Sequence, residues 1–166
     1  MKDFFVICDN IRSLENIGSI FRTADAVGVT KIFLCGISGK PPQPEFAALP
    51  GNPAVLNQKI SKTALGAEKD IPFEYHKQTG RLIELLKKNY VTVVALEQGK
   101  HSLSYTKFKP TFPLALMVGN EVKGISNNIL KKVDHIISLP MHGKKESLNV
   151  SVAFGVAAYE IIKKRT

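Results

Sequence analysis

Leu139-Pro140-Met141-His142-Gly143-Lys144-Lys145-Glu146-Ser147-Leu148-Asn149-Val150 sets turn-formers, cations and small polar groups between a short apolar run and an almost wholly apolar helical pattern. From Leu148 to Ile162, apolar side chains fall on every side of a 3.6-residue wheel. A lone surface helix in water does not carry such a pattern. The stretch therefore predicts a last helix covered by its own core and by a second subunit. The polar loop in front of it is held rigidly, as a ligand cradle requires.

Upstream, short β-rich runs at Phe4 to Cys8, Ile32 to Cys35, Val91 to Leu96, Leu114 to Val118 and Ile136 to Leu139 alternate with helical patterns. The helices are expected at Ile17 to Val27, Gly80 to Asn89, Ser126 to Val133 and Leu148 to Lys163. Continuous apolar strands separated by helices predict an α/β fold, a mostly parallel sheet with helices on both faces. In the first helix Ile17, Phe21 and Ala24 form the buried stripe and Arg22 falls on its flank, where a cation can face a cleft. The Pro- and Gly-rich stretch from Ile37 to Val55 reads as a long loop, of a length that is usually functional or disordered.

Ligands of open α/β sheets bind outside the carboxyl ends of the strands. Asp9 to Gly18, Gly119 to Gly124 and Pro140 to Asn149 stand there, with Ala95 to Gly99 a weaker fourth. These segments are expected to converge on one side of the molecule.

The 166 residues fit one domain, and 23 Lys and Arg against 14 Asp and Glu leave a net charge of +9, the footprint of a protein that meets polyanions. The two cysteines, Cys8 and Cys35, end neighbouring apolar runs and read as inert core thiols in a reducing cytoplasm. No apolar run approaches the roughly 18 residues of a membrane span. The four histidines are too dispersed to suggest a metal site. Neither a phosphate-cradling Gly-x-x-x-x-Gly-Lys-[Ser/Thr] loop nor a Gly-x-Gly-x-x-Gly fingerprint is present, which argues against a nucleotide triphosphatase and an ordinary dinucleotide enzyme.

Three ordered segments resemble the SpoU (TrmH-like) family of the SPOUT class of RNA methyltransferases. They are Asn16-Ile17-Gly18-Ser19-Ile20-Phe21-Arg22-Thr23-Ala24, Val118-Gly119-Asn120-Glu121-Val122-Lys123-Gly124-Ile125, and Leu139-Pro140-Met141 followed by Ser147 to Ala153. The resemblance spans nearly the whole chain and implies a C-terminal trefoil knot, a rare exception to unknotted topology. It also implies an S-adenosylmethionine pocket and a homodimer through the C-terminal helix. Leu96, Gly119, Leu139, Met141 and Leu148 would hold the cofactor. The reaction implied is methyl transfer to a ribose 2′-hydroxyl of structured RNA, transfer RNA favoured over ribosomal RNA. In it Arg22 would position and activate the hydroxyl, Glu121 and Asn16 would orient the guanidinium, and Ser147 and Asn149 would complete the site. An arginine as literal base conflicts with its pKa above about 12, so polarisation is the expected role.

The expected organisation is a single catalytic domain over residues 1–166 with no N-terminal RNA-binding extension, so RNA is gripped by the catalytic domain across both subunits. Lys144-Lys145, the tail Lys163-Lys164-Arg165 and the proline-rich loop are its candidate phosphate contacts. A knotted RNA-binding or assembly module without catalysis is the alternative, and a flavodoxin-like domain a third reading.

Overall fold

A computed structural model describes residues 2–41 and 54–165. Among the described residues, seven strands are seen: β1 (Phe4–Asp9), β2 (Lys31–Cys35), β3 (Phe73–His76), β4 (Thr92–Leu96), β5 (Leu103–Ser104), β6 (Leu114–Val118) and β7 (His135–Ser138). Between and after them run α1 (Leu14–Ala26), α2 (Ala54–Ala64), α3 (Ala67–Asp70), α4 (Thr79–Lys88), α5 (Asn127–Leu130) and α6 (Val150–Lys163). The strands form one sheet in the order β3-β2-β1-β6-β4-β7-β5, and every pairing is parallel.

The continuous apolar runs are explained by burial on both faces. In β1, Phe4, Val6 and Cys8 join α1, α2 and α6 in one core, while Ile7 points to the opposite core with Leu82, Ile83 and Leu86 of α4. Alternate residues of β6 divide in the same way, Leu114, Leu116 and Val118 to the first core and Ala115 and Met117 to the second. The period of two thus feeds two helical layers, as a parallel sheet demands. Both cysteine thiols are buried, and desolvation pushes the Cys8 thiol far up and the Cys35 thiol to about 12. They are inert, as expected from the sequence.

Several boundaries differ from the sequence expectation. β3 is a four-residue edge strand with two exposed residues, and β5 has two residues pairing only with Ile137 and Ser138 of β7, so neither carries an apolar run to recognise. Helix α2 and the short α3 follow the expected long loop; residues 42–53 of that loop lie outside the described residues. Helix α5 ends at Leu130 rather than Val133. Asp134 donates its N–H to the Val93 carbonyl and accepts the Val93 N–H on its carboxylate, which draws the chain into β7.

Close approach of α1 and α2 requires a residue without a side chain at 18. A Cβ there would lie 2.3 Å from the Ile60 carbonyl oxygen and 2.0 Å from Thr63 Oγ1. Gly18→Ala is expected to cost about 3 kcal/mol, which lowers the melting temperature by roughly 6–12 °C. A thermal melt by circular dichroism checks it; an unchanged midpoint would show that α2 moves aside freely.

Candidate active site

At the carboxyl ends of β4, β6 and β7 and the N-terminus of α6, a cavity of about 430 Å³ opens to solvent. Its walls come from the loops after β4, β6 and β7, which the strand order brings side by side. Leu96, Gly119, Leu139 and Leu148 line it, as do Glu121, Ser147 and Asn149. Met141, placed in the cofactor site by the sequence reading, is half-buried outside this lining.

The loops are fastened by side chains to backbone. Glu97 at the end of β4 accepts the N–H of Ile125 at 2.8 Å and of Gln98 at 2.9 Å, while Gln98 Nε2 donates to the Leu139 carbonyl at 2.8 Å. Gly124 has φ +64 and a Cβ there would lie 2.4 Å from Glu97 Oε2, so this turn needs glycine twice over. Asn120 Nδ2 donates to the Asn10 carbonyl at 2.8 Å, and Asn120 Oδ1 accepts the N–H groups of Val122 and Lys123 at 3.0 and 2.9 Å. Gly119 is buried where a Cβ would stand 2.5 Å from Ile125 Cγ1 and 2.8 Å from the Gly124 carbonyl carbon.

Glu121 joins the first and second segments. Its Oε2 accepts the Arg12 N–H at 3.0 Å, and its Oε1 accepts the Ser13 N–H at 2.9 Å and Asn16 Nδ2 at 3.1 Å. Asn16 Oδ1 in turn accepts Asn149 Nδ2 at 3.1 Å, so a hydrogen-bonded chain runs from the β6 loop through α1 to the third segment. Asn149 also caps α6, its Oδ1 accepting the Ser151 N–H at 2.9 Å. Burial pushes the Glu121 carboxyl up, but the Arg12 and Ser13 amides and the Asn16 side chain outweigh it, and the group titrates below the ordinary carboxylate range.

Arg22 departs from the expected arrangement. It is exposed on α1, does not line the cavity, and among the described residues neither Glu121 nor Asn16 bonds its guanidinium. The Glu121 oxygens are already taken by backbone donors, so the expected orienting contact is replaced by a loop-to-loop lock. Arg22 neighbours Thr23, which with Ser151, Val152, Gly155, Val156 and Tyr159 lines a shallow groove between α1 and α6. Ser147 is exposed at the cavity mouth.

Sequence reasoning missed Gln98, Asn120 and the Arg12-Ser13 amides as parts of this frame. The polar pair Glu97-Gln98 directly after an apolar strand was the one local signal; their partners lie in other loops. The tail cations expected to meet phosphates are partly engaged within the chain. Lys164 Nζ bonds the carbonyls of Thr106 and Phe108 and pairs with Glu160 at 2.9 Å, and Arg165 lies over the Phe112 ring.

Residues 3–159 match the model of the SpoU rRNA Methylase family. The chain is 35% identical over 99% of its length to YacO of Bacillus subtilis, a protein named for the TrmH family of tRNA/rRNA methyltransferases. It is 33% identical over 99% of its length to the tRNA (guanosine(18)-2′-O)-methyltransferase of Aquifex aeolicus. It spans 60% of the first relative and 71% of the second. Among solved structures, the SpoU methyltransferase AviRb of Streptomyces viridochromogenes in complex with AdoMet superposes with a TM-score of 0.81 at 26% identity, over 99% of this chain and 59% of that one.

Proposed function

Because the chain belongs to the SpoU methylase family, we propose that it is an S-adenosylmethionine-dependent RNA methyltransferase that modifies a ribose 2′-hydroxyl, with transfer RNA as the favoured substrate. The observation that carries this reading is the chain Glu121–Asn16–Asn149, which ties three remote segments around the mouth of one cavity. Transfer RNA is favoured over ribosomal RNA because the Aquifex relative, matched across nearly all of this chain, is named for a transfer RNA nucleoside.

The cavity suits the cofactor in size and chemistry. Its volume falls within the roughly 300–1,000 Å³ of small-molecule sites. Leu139 and Leu148 offer apolar walls for a flat ring, and Gly119 contributes to the same lining. When bound, S-adenosylmethionine supplies an electrophilic methyl on a sulfonium centre. This chain's residues then have three tasks. Leu139, Leu148 and Leu96 exclude water where positive charge is lost. Asn149 and Ser147 present amide and hydroxyl groups at the mouth for the ribose. Arg22, unpaired among the described residues, donates to the 2′-oxygen and a neighbouring phosphate, polarising a hydroxyl whose proton passes to phosphate or carboxylate.

A homodimer through α6 accounts for the helix's second apolar face. Phe154, Ala157, Ala158 and Ile161 are buried in the chain's own core, while Val152, Val156 and Tyr159 stand 52%, 41% and 57% exposed. Thr23, next to Arg22 in the chain, lines the groove beside these residues, so this contact brings the partner subunit up to α1. The trefoil threading expected of the family agrees with the chain path: β7 lies beyond β4 from β6, and α6 returns across both to pack on α1. No described helix is long and apolar enough to cross a membrane.

Titration calorimetry with S-adenosylmethionine tests the reading. Wild type is expected to give saturable heat, and Leu148→Asp to weaken binding at least about tenfold, since a carboxylate replaces an apolar wall. Absence of saturable heat in wild type would instead indicate the non-catalytic RNA-binding or assembly module.

A further inference from the structure

The turn Asn10 to Ser13 is fixed at each of its backbone N–H groups. The Asn10 N–H donates to the Cys35 carbonyl, and the Asn10 carbonyl accepts Asn120 Nδ2. The Ile11 N–H donates to Ser38 Oγ at 2.9 Å, and the N–H groups of Arg12 and Ser13 donate to Glu121. Asn10 sits at φ +57, and its side-chain Oδ1 further accepts the Ile37 N–H at 3.2 Å. The loop across the mouth is pinned equally, because Asn120 Oδ1 holds the N–H groups of Val122 and Lys123.

Two cations are carried by this locked frame. Arg12 and Lys123 are exposed, and among the described residues neither guanidinium nor ammonium has an ion-pair or hydrogen-bond partner. Other lysines of this chain are paired, Lys31 with Glu74 and Lys87 with Asp134 for instance. Glu121 lies beside Arg12 without neutralising it, because its oxygens face backbone N–H groups. That same carboxylate accepts two backbone N–H groups just before the first turn of α1. Val122, 83% exposed, lines the cavity next to Lys123. Neither cation lines the cavity itself; Arg12 is tied by its N–H to the lining residue Glu121, and Lys123 follows the lining residue Val122, both in fixed backbone positions.

We propose that Arg12 and Lys123 grip the phosphates flanking the target nucleotide of the RNA, with Val122 packed against its nucleoside. This rests on the RNA-modifying reading above and names the residues that set the nucleotide over the cavity. Preorganised cations lose little entropy on meeting a phosphate, so each contributes to affinity and to register. Every phosphate contact also releases counterions and steepens the salt dependence of binding.

The test measures dissociation constants for unfractionated transfer RNA against salt concentration, for wild type, Arg12→Ala, Arg12→Lys and Lys123→Ala, with calorimetry on S-adenosylmethionine and a thermal melt for each. Arg12→Ala and Lys123→Ala are each expected to lower the slope of log affinity against log salt by about 1 and to weaken binding by about three- to tenfold near 0.1 M salt. Arg12→Lys retains the slope, since a cation remains. Unchanged slopes in the two alanine variants, with melts and cofactor heat like wild type, would overturn this inference and leave the methyltransferase reading intact. Wild type that binds cofactor but no transfer RNA overturns both the phosphate grip and the preferred substrate. Wild type without cofactor heat overturns the proposed function itself.

Discussion

Arg22→Ala is expected to slow methyl transfer by about 10²–10³-fold, the loss typical of removing one donor aimed at developing charge, while cofactor affinity and melting temperature stay close to wild type. The unchanged stability and cofactor affinity follow from where the residue sits. Arg22 is exposed, outside the cavity lining, and bonded to no carboxylate among the described residues. Removing it therefore opens no core cavity and strands no buried charge, the usual routes to large destabilisation. Arg22→Lys should recover only a small part of the rate, because an ammonium cannot engage hydroxyl and phosphate through a planar fork. Single-turnover rates with transfer RNA, alongside calorimetry with S-adenosylmethionine, check both statements. Full turnover in Arg22→Ala would remove the guanidinium from the mechanism.

Glu121→Gln is expected to damage both the frame and the rate. A carboxylate accepts the Arg12 and Ser13 amides and Asn16 Nδ2 at once, whereas one end of a glutamine amide only donates. At least one donor then faces another, at a cost of about 1–2 kcal/mol, or roughly 2–8 °C in melting temperature. The pH dependence has a definite sign. The folded-state carboxyl titrates below its ordinary value, so its stabilisation is complete above the unfolded value of about 4.3 and disappears as pH falls through the lowered folded value. The gap between wild type and Glu121→Gln should be constant above about pH 5 and close on further acidification. Lowered carboxyls elsewhere, such as Glu74 and Asp134, are shared by both proteins and cancel in the difference. A gap that persists unchanged to about pH 3 would deny that the ionised carboxylate holds the loops.

Much of the architecture was legible because a sheet buried on both faces leaves unbroken apolar runs, as in Phe4 to Cys8 and Leu114 to Val118. β3 and β5 escaped notice for the converse reason: edge strands half in water, or two residues long, have nothing continuous to display. The α6 pattern carried more information than its length suggests. Its apolar side chains on all sides correspond to one face in the chain's own core and another left exposed.

In the site, Gly119 and Asn149 entered through the family resemblance, and the structure gives each a local reason, a close backbone approach and a helix cap. The partners of Glu121 could not be read in advance. A carboxylate near a conspicuous arginine suggests an ion pair, yet the structure gives it two backbone amides from residues 108 and 109 positions away. Backbone donors have no side-chain signature, so a sequence cannot announce them. The same blindness hid the role of Gln98, whose amide reaches the Leu139 carbonyl from another loop.

The central claim is that remote segments meet around a methyl donor to modify an RNA ribose. Its most direct measurement is incubation of the protein with S-adenosylmethionine carrying a labelled methyl and, in parallel, transfer RNA and ribosomal RNA, followed by nuclease digestion and mass spectrometry. The account predicts label on a single ribose 2′-oxygen within transfer RNA, appearing far more slowly with Arg22→Ala. Label on a base, or on neither RNA while the donor is bound, would contradict it.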